Sequence, residues 1–346
     1  MGWTLYSGVA SFNHSESIFL YTMTHQLKGL IISPQPTLLE LFRSFYQRNY
    51  PSTLEEAITY FSVFGGLGWE IDTDRDLFEL IESLILDNYG HLSNEIAMMT
   101  SGDHLYSSLL TGIALGDRRT HSAFKRAHLS ERVGEEALEY LEQTGIIQRE
   151  VSRELPAEKA YPAQKLKKEI ERHQISDKLT FSTPFLRFWF SFVAPLHREI
   201  EVGNYEKVRQ RFVKREAGLS SLVFEHLSIE LLKKSHTDDP IVEIGSYWDR
   251  QVEIDILAKT RLGKVIVAEC KYTNTKVNRS ELTKLKEKSQ LAGLAVDTFV
   301  LFSKRGFSNE LLSVKESNYQ LYDLDTFSSL LEEMGDKILI TGLPYP

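Results

Sequence analysis

Residues 251–271 read QVEIDILAKTRLGKVIVAECK, two apolar–polar alternating runs separated by a polar turn. The runs 251–258 and 265–271 are rich in Ile and Val, and an alternation with a period of two is typical of β-strands. The turn at 259–264 is short, so the two strands are predicted to form an antiparallel hairpin. This hairpin decides the fold class, because the segments around it extend it into an α/β domain.

The register of the hairpin brings charged side chains together. With the turn centred on Leu262, Asp255 lies opposite Glu269, and the two carboxylates share one face. Lys271 lies on that face two residues further on, whereas Cys270 points to the other side as a core residue. Facing carboxylates destabilise a strand pair unless a cation neutralises them, and Mg²⁺ or Mn²⁺ is of the hard, oxygen-preferring kind. The alternative is a surface hairpin with an ion pair of little energetic value.

The flanking segments complete an α/β domain with a mixed central sheet. Glu225 lies on a predicted helix ahead of the hairpin and is a further candidate ligand or outer group of the site. The predicted elements are helix 218–234, strand 241–247, the hairpin, helix 279–292, strand 297–302 and a helix near 308–315.

Positive charge is concentrated beside the candidate carboxylates. Residues 259–288 carry nine Lys and Arg against three Glu, a net charge of +6. A basic stretch next to such a site favours a phosphate backbone as partner, and a solvated Lys-rich helix is the alternative. The residues expected to hold a DNA backbone are Arg250, Lys276, Arg279, Lys284 and Lys288.

A winged helix-turn-helix pattern precedes this domain. Helices are predicted over 104–115, 119–127 and 131–143, followed by a β-type run at 146–151. The third helix of such a domain enters a DNA groove, but here it carries five Glu against Arg132, which favours a packing or interaction role. The candidates for backbone contacts in this domain are Lys125, Arg126 and His128.

Four regions are predicted along the chain. They are a helical N-terminal region (1–100), the winged-helix-like domain (101–175), an aromatic-rich connector (176–217) and the α/β domain (218–346). In the connector, PFLRFWFSFV at 184–193 is predicted to be core. The charged segment 157–175 is predicted to be a surface helix or a linker.

Composition excludes several classes of protein. The 346 residues are 42% hydrophobic and 25% charged, which is typical of a globular chain, and the net charge of −8 argues against a general nucleic-acid coat protein. The single cysteine excludes a disulfide framework, and the histidines show no zinc-binding spacing. No apolar stretch is long enough to span a bilayer, and residues 1–27 lack the basic start of a signal peptide, so a cytoplasmic protein is expected.

Two groups of residues resemble known motifs. Asp255, the tripeptide 269–271 and Glu225 together resemble the PD-(D/E)XK nuclease motif. The chain is more closely similar to the C-terminal domain of the archaeal-type DEXX-box ATPases, a family that joins a P-loop ATPase, a winged helix and this nuclease-like domain. The other matching segments, within residues 55–315, are Tyr60 through Gly66, PFLRFWF at 184–190, Ile244-Gly245, Trp248 through Arg250 and Glu253 through Ile256.

The resemblance implies a restriction-endonuclease-like domain that acts as a Mg²⁺-dependent DNA nuclease. Asp255 and Glu269 would hold the metal. Lys271 would orient the attacking water, and Glu225 would assist. The sequence contains no GxxxxGK[ST] segment, so neither ATP binding nor ATP hydrolysis is implied.

The alternative function is a non-catalytic DNA-binding or protein-interaction module that keeps the nuclease fold. In either case DNA is the expected partner and no membrane partner is expected. A homodimer is a possible assembly, and the sequence does not decide the oligomeric state.

Overall fold

The computed structural model describes residues 36–154, 156, 161, 164–165, 167–171 and 173–332. Outside these residues lie the start of the predicted N-terminal region, the end of the α/β domain, and residues 157–160, 162, 163, 166 and 172 of the charged segment 157–175. The N-terminal part is helical, and α1 begins at a capping box in which Thr37 and Glu40 satisfy each other's backbone N–H groups. Its helices are α1 (Leu38–Asn49), α2 (Leu54–Phe64), α3 (Leu77–Leu80) with a π-helical turn (Ile81–Leu86), and α4 (Tyr89–Met99).

A three-helix unit with a β-hairpin follows, in the order of a winged helix-turn-helix. Its elements are α5 (His104–Leu115), α6 (Thr120–Ala127), α7 (Glu131–Gln143), β1 (Ile147–Glu150), α8 (Lys168–Glu171) and β2 (Lys178–Phe181). β1 and β2 pair antiparallel, and Arg119, just before α6, forms an isolated bridge to Lys178. The side chains of Asp103 and Ser130 cap α5 and α7, which explains why the predicted bounds of these helices agree with the structure.

The aromatic segment is helical and forms core, as predicted. α9 (Pro184–Phe188) passes into a π-helical turn (Trp189–Val193), and every side chain of 184–193 except Arg187 is buried. A short 3₁₀ turn (Ala194–Leu196) and α10 (His197–Glu201) follow.

The next helix, α11 (Glu206–Ser235), begins well before the predicted start at 218. The additional stretch 206–217 contains no Gly or Pro, and Val208 and Phe212 are buried at helical spacing, so nothing ends the helix there. The predicted boundary between connector and α/β domain therefore falls inside a continuous helix of 30 residues.

The C-terminal part is built on a mixed five-stranded sheet, which confirms the predicted α/β architecture. The β3–β4 and β4–β5 pairs are antiparallel, whereas β5–β6 and β6–β7 are parallel. The strands are β3 (Ile241–Trp248), β4 (Glu253–Thr260), β5 (Val265–Lys271), β6 (Thr298–Ser303) and β7 (Tyr319–Asp323). The helices are α12 (Arg279–Leu291), α13 (Asn309–Leu312) and, after a 3₁₀ turn (Leu324–Ser328), α14 (Ser329–Glu332).

Helices cover both faces of the sheet. Ile256 and Ala268 belong to a hydrophobic cluster that also contains buried residues of α1, α5, α9 and α11. Val267 on the opposite face packs in a second cluster with Leu285 of α12. Because the first cluster runs from the N-terminal helices to the sheet, these regions share one core. Of the helices in the described ranges, none is long and apolar enough to cross a membrane.

Candidate active site

The predicted register of the central hairpin is confirmed. In the β4–β5 ladder Ile256 pairs with Ala268, and three further pairs towards the turn keep the register of a hairpin centred on Leu262. The ladder ends at the Ile256–Ala268 pair, one position before Asp255 and Glu269 would pair. The two carboxylates therefore lie where the strands stop hydrogen-bonding to each other.

A β-bulge in β4 lies at this position. The β3–β4 register shifts between Gly245 and Tyr247, so that two residues of β4, Asp255 and Ile256, lie opposite Ser246. A bulge of this kind ends the strict alternation of side chains along the strand and re-aims one of them.

The bulge changes which helix Asp255 faces. Strict alternation would place Ile254 and Ile256 on one face, but Ile254 packs in the cluster under α12 and Ile256 in the cluster under α11. Asp255 lines a cavity of about 340 Å³ beside α11, whereas Glu269 hydrogen-bonds to Lys288 of α12. The expectation that the two carboxylates share one face is therefore wrong, because an extra residue in β4 separates them.

The Asp255 carboxylate is nevertheless close enough to other carboxylates to be strongly perturbed. Its Oδ2 accepts a hydrogen bond of 2.8 Å from the backbone N–H of Cys270. Burial raises the pKa of Asp255 to about 7, and the negative charges of Glu269 and Glu225 contribute to the increase. Near neutral pH this side chain is thus divided between its protonated and its charged form.

The Glu269 carboxylate is buried between two lysines. Its Oε1 accepts from Lys271 Nζ and its Oε2 from Lys288 Nζ, each at 2.8 Å. Lys271 also lies 3.3 Å from the Glu281 carboxylate of α12. Burial lowers the pKa of Lys271, but Glu269 and Glu281 more than offset this, and the pKa is raised overall. Lys271 is therefore a permanent cation at neutral pH, bonded to one of the candidate metal ligands.

Glu225 lies on the α11 side of the Asp255 cavity and faces two arginines that sequence reasoning missed. Its Oε1 lies 3.9 Å from Arg118 Nη2. Burial raises the pKa of Glu225, and the charge of Arg118 opposes the increase. The Arg187 guanidinium lies nearby, where desolvation and the charge of Arg118 lower its pKa to about 10. Its Nη1 atom has no hydrogen-bond partner among the described residues.

The sequence alone marks one of these two arginines as unusual. Arg187 is the single charged residue in the apolar run 184–193, where a charge is costly unless it is paired or used. Arg118 carries no such signal, because it lies between two helices and reaches Glu225 only through the tertiary fold.

The expected DNA-binding residues divide into two groups. Lys288 is bonded to Glu269, and Lys284 lies 2.6 Å from Glu281. The side chains of the other three are exposed and have no hydrogen-bond or ion-pair partner in the described part of the chain; they are Arg250, Lys276 and Arg279.

The winged-helix hairpin is docked against the edge of the sheet. Glu150 of β1 accepts from the backbone N–H and the hydroxyl of Ser246, at 2.5 and 2.8 Å. Lys178 of β2 is buried, donates to Glu253 at 2.7 Å and lies over the ring of Trp248. These contacts place the hairpin on β3 and β4 rather than free in solvent.

The negative charge of the acidic third helix, α7, is partly neutralised by an arginine of the neighbouring strand β1. Arg149 of β1 lies 2.9 Å from Glu135 and 3.2 Å from Glu142. Glu131, Glu136 and Glu139 remain exposed. The outer face of this helix is thus acidic, which favours a role other than binding phosphates.

The oxygen donors at the open end of the β4–β5 ladder are the carboxylates of Asp255 and Glu269. Within the described ranges no group of three or more His, Cys, Asp or Glu side chains is placed to hold a metal ion. Mg²⁺ commonly keeps several waters and uses one or two carboxylates. Asp255 and Glu269 supply that number of carboxylates, and burial is the main cause of the raised pKa of Asp255.

Comparison with known proteins gives one match. Residues 189–285 match the family model DUF234, described as archaeal and bacterial proteins of unknown function. The matched segment runs from the π-helical turn after α9 into α12 and contains Glu225, Asp255, Glu269 and Lys271. No curated protein and no solved structure matches the chain.

Proposed function

We propose that this protein is a Mg²⁺-dependent nuclease of the PD-(D/E)XK type that hydrolyses DNA phosphodiester bonds. The observation that carries the proposal is that Asp255 and Glu269 both lie at the open end of the β4–β5 ladder, with a lysine bonded to Glu269. Buried carboxylates gain little from packing, so a role in binding a cation accounts for their presence.

Each residue has a distinct task in this reaction. A divalent ion held by Asp255 and Glu269 would supply a more acidic bound water and would polarise the phosphate. Lys271 places a fixed positive charge where negative charge develops on the attacked phosphate. Glu225 raises the proton affinity of Asp255, so protons compete with the cation for that carboxylate.

We also propose that the chain is related to the archaeal-type DEXX-box ATPases through their winged helix and nuclease-like domain. The motifs at 184–190, 244–245 and 253–256 support this relation, and most of them lie within or next to the matched segment 189–285. ATP is not a proposed ligand, since the sequence has no P-loop.

A non-catalytic binding module is the second candidate, and one observation favours it. Both oxygens of Glu269 accept hydrogen bonds from lysines, Lys271 and Lys288, so a metal would have to share this carboxylate with two cations. A protein that had kept the nuclease fold only as a scaffold could satisfy Glu269 permanently in this way.

Cleavage of DNA by the full chain separates the two candidates. Linear, nicked and branched DNA are incubated with Mg²⁺ or Mn²⁺, with and without a chelator. Asp255→Asn is expected to abolish cleavage, and Lys271→Ala to reduce it by about 10²-fold or more, the scale of one lost transition-state contact. Lys214→Ala, an exposed lysine of α11 outside the site and outside the basic stretch 259–288, is the matched control and is expected to leave cleavage unchanged.

Two outcomes would count against the nuclease. Cleavage that is equal in wild type and Asp255→Asn would indicate a contaminating activity. DNA binding without metal-dependent cleavage of any substrate would favour the binding module.

A further inference from the structure

A second cavity, of about 680 Å³, lies between α4, α5, the end of α6 and the π-helical turn at Trp189–Val193. It shares no lining residue with the cavity of Asp255. Its volume is in the range of small-molecule sites. The nuclease proposal uses none of its residues, so the cavity needs a separate explanation.

The polar lining is rich in side chains that can donate hydrogen bonds. The chain has a net charge of −8, yet none of the described residues that line this cavity is Asp or Glu. A lining of guanidinium, imidazole and hydroxyl groups without carboxylates favours an anionic ligand that carries oxygens. The polar side chains are Arg126, His104, His128, His197, Ser93, Ser107, Ser108 and Thr111.

Arg126 is the arginine of this lining, and its side chain is exposed to solvent. Its guanidinium has no hydrogen bond or ion pair with any described residue. Arg126 packs beside Gly112 of α5 and Gly116, which follows it: a Cβ at Gly112 would lie 3.4 Å from Arg126 Cβ, and a Cβ at Gly116 would lie 3.2 Å from Arg126 Nε. A planar guanidinium without a partner matches the geometry of phosphate or carboxylate oxygens.

Two aromatic residues, Tyr89 and Trp189, form an aromatic wall in the lining of the cavity. The rings of Tyr89 and Trp189 stack at 5.9 Å with an interplanar angle of 5°. Trp189 is buried, whereas Tyr89 is partly exposed and lines the cavity. A half-exposed ring that is already fixed by stacking offers a flat surface to a second ring.

We propose that this cavity binds a phosphorylated ligand with a flat ring, of which a nucleoside monophosphate is the simplest example. Arg126 binds the phosphate, with His128 beside it. The hydroxyls of α5 contact the sugar, and the ring stacks along Tyr89. The site is separate from the nuclease centre and does not depend on its activity.

Titration calorimetry of the full chain tests this site. The probes are the four ribonucleoside 5′-monophosphates, the corresponding nucleosides and inorganic phosphate. At least one monophosphate is expected to bind, with inorganic phosphate and the free nucleoside each at least about tenfold weaker, because each lacks one half of the contacts. Arg126→Gln is expected to weaken nucleotide binding by about 10- to 100-fold, the effect of losing a charge-assisted hydrogen bond.

Three further variants show where binding occurs. Lys125→Gln removes the neighbouring exposed charge, which does not line the cavity, and is expected to bind as wild type. Asp255→Asn is also expected to bind as wild type, because it alters only the nuclease centre. His128→Asn removes the imidazole but tolerates the left-handed backbone at φ 57°, and is expected to bind several-fold more weakly.

The proposal is overturned in three ways. No binding of any monophosphate up to the millimolar range would remove it. Equal binding by wild type and Arg126→Gln would place the ligand elsewhere. If inorganic phosphate binds as tightly as the nucleotides, the cavity is only an anion site and the aromatic wall contributes nothing to binding.

Discussion

Asp255→Asn is expected to make the folded protein more stable above pH 7 and to leave its stability unchanged near pH 4. The pKa of Asp255 is raised from 3.8 to about 7 by burial and by two neighbouring carboxylates. A carboxyl with a raised folded-state pKa contributes stability that is fully present below its unfolded pKa and is lost as the pH rises through the folded value. Asn keeps an acceptor for the Cys270 N–H and never acquires the charge.

The magnitude follows from the size of the pKa change. A rise of about three units at 1.36 kcal/mol per unit corresponds to an upper limit of about 4 kcal/mol. Water reaches part of the Asp255 side chain and Lys288 lies nearby, so we expect a gain of about 2 kcal/mol at pH 8. The gain should develop between pH 4 and pH 7.

Urea denaturation of the full chain at a series of pH values, in a metal-free buffer with a chelator, measures this gain. Asp297→Asn is the matched control, since Asp297 also accepts a backbone N–H, from Val265 at the other end of β5. The control should show no gain at pH 8. A difference between Asp255→Asn and wild type that is the same at pH 4 and pH 8 would refute the reasoning, because repulsion between charges cannot persist once the carboxyl is protonated.

Three other results are expected. Glu269→Gln should lower the free energy of unfolding by about 1–3 kcal/mol, because two lysines lose a charged partner; urea denaturation measures this. DNA binding by the full chain should weaken with salt at a log–log slope of about −4 to −5 if four to six phosphates are contacted, and a flat response in fluorescence anisotropy would contradict the basic surface. Gly134→Ala should destabilise the protein by about 1–3 kcal/mol, since its Cβ would lie 2.5 Å from the Phe124 ring, whereas Gly218→Ala meets nothing and serves as the thermal-melt control.

Local patterns in the sequence predicted much of the fold. The helices of the winged-helix unit and the β4–β5 register follow from capping residues and from alternation, which act over a few residues. The start of β4 was predicted two residues early, because the Asp249 carboxylate holds the N–H groups of Gln251 and Val252 in a turn. That side-chain contact competes with the strand and has no signature in the apolar pattern.

The sequence identifies Asp255, Glu269, Lys271 and Glu225 as the candidate residues, but it does not predict how their side chains are arranged in space. The β4 bulge depends on how β3 pairs with β4, and periodicity within β4 alone could not reveal the extra residue at Asp255. The arginines around Glu225 come from two distant segments, so only the tertiary structure brings Arg118 and Arg187 to it. Whether Asp255, Glu269 and Lys271 act in catalysis stays a prediction.

The length of helix α11 also limits the positions at which recombination could divide this protein into two parts. At 1.5 Å per residue its 30 residues extend about 45 Å. Its first turns bury Val208 and Phe212 against the helical half, and its later turns carry Glu225 to the edge of the sheet. A recombination event that joined foreign coding sequence near position 217 would cut this helix and expose apolar surface on both fragments. The two halves are therefore expected to be inherited together as one genetic unit.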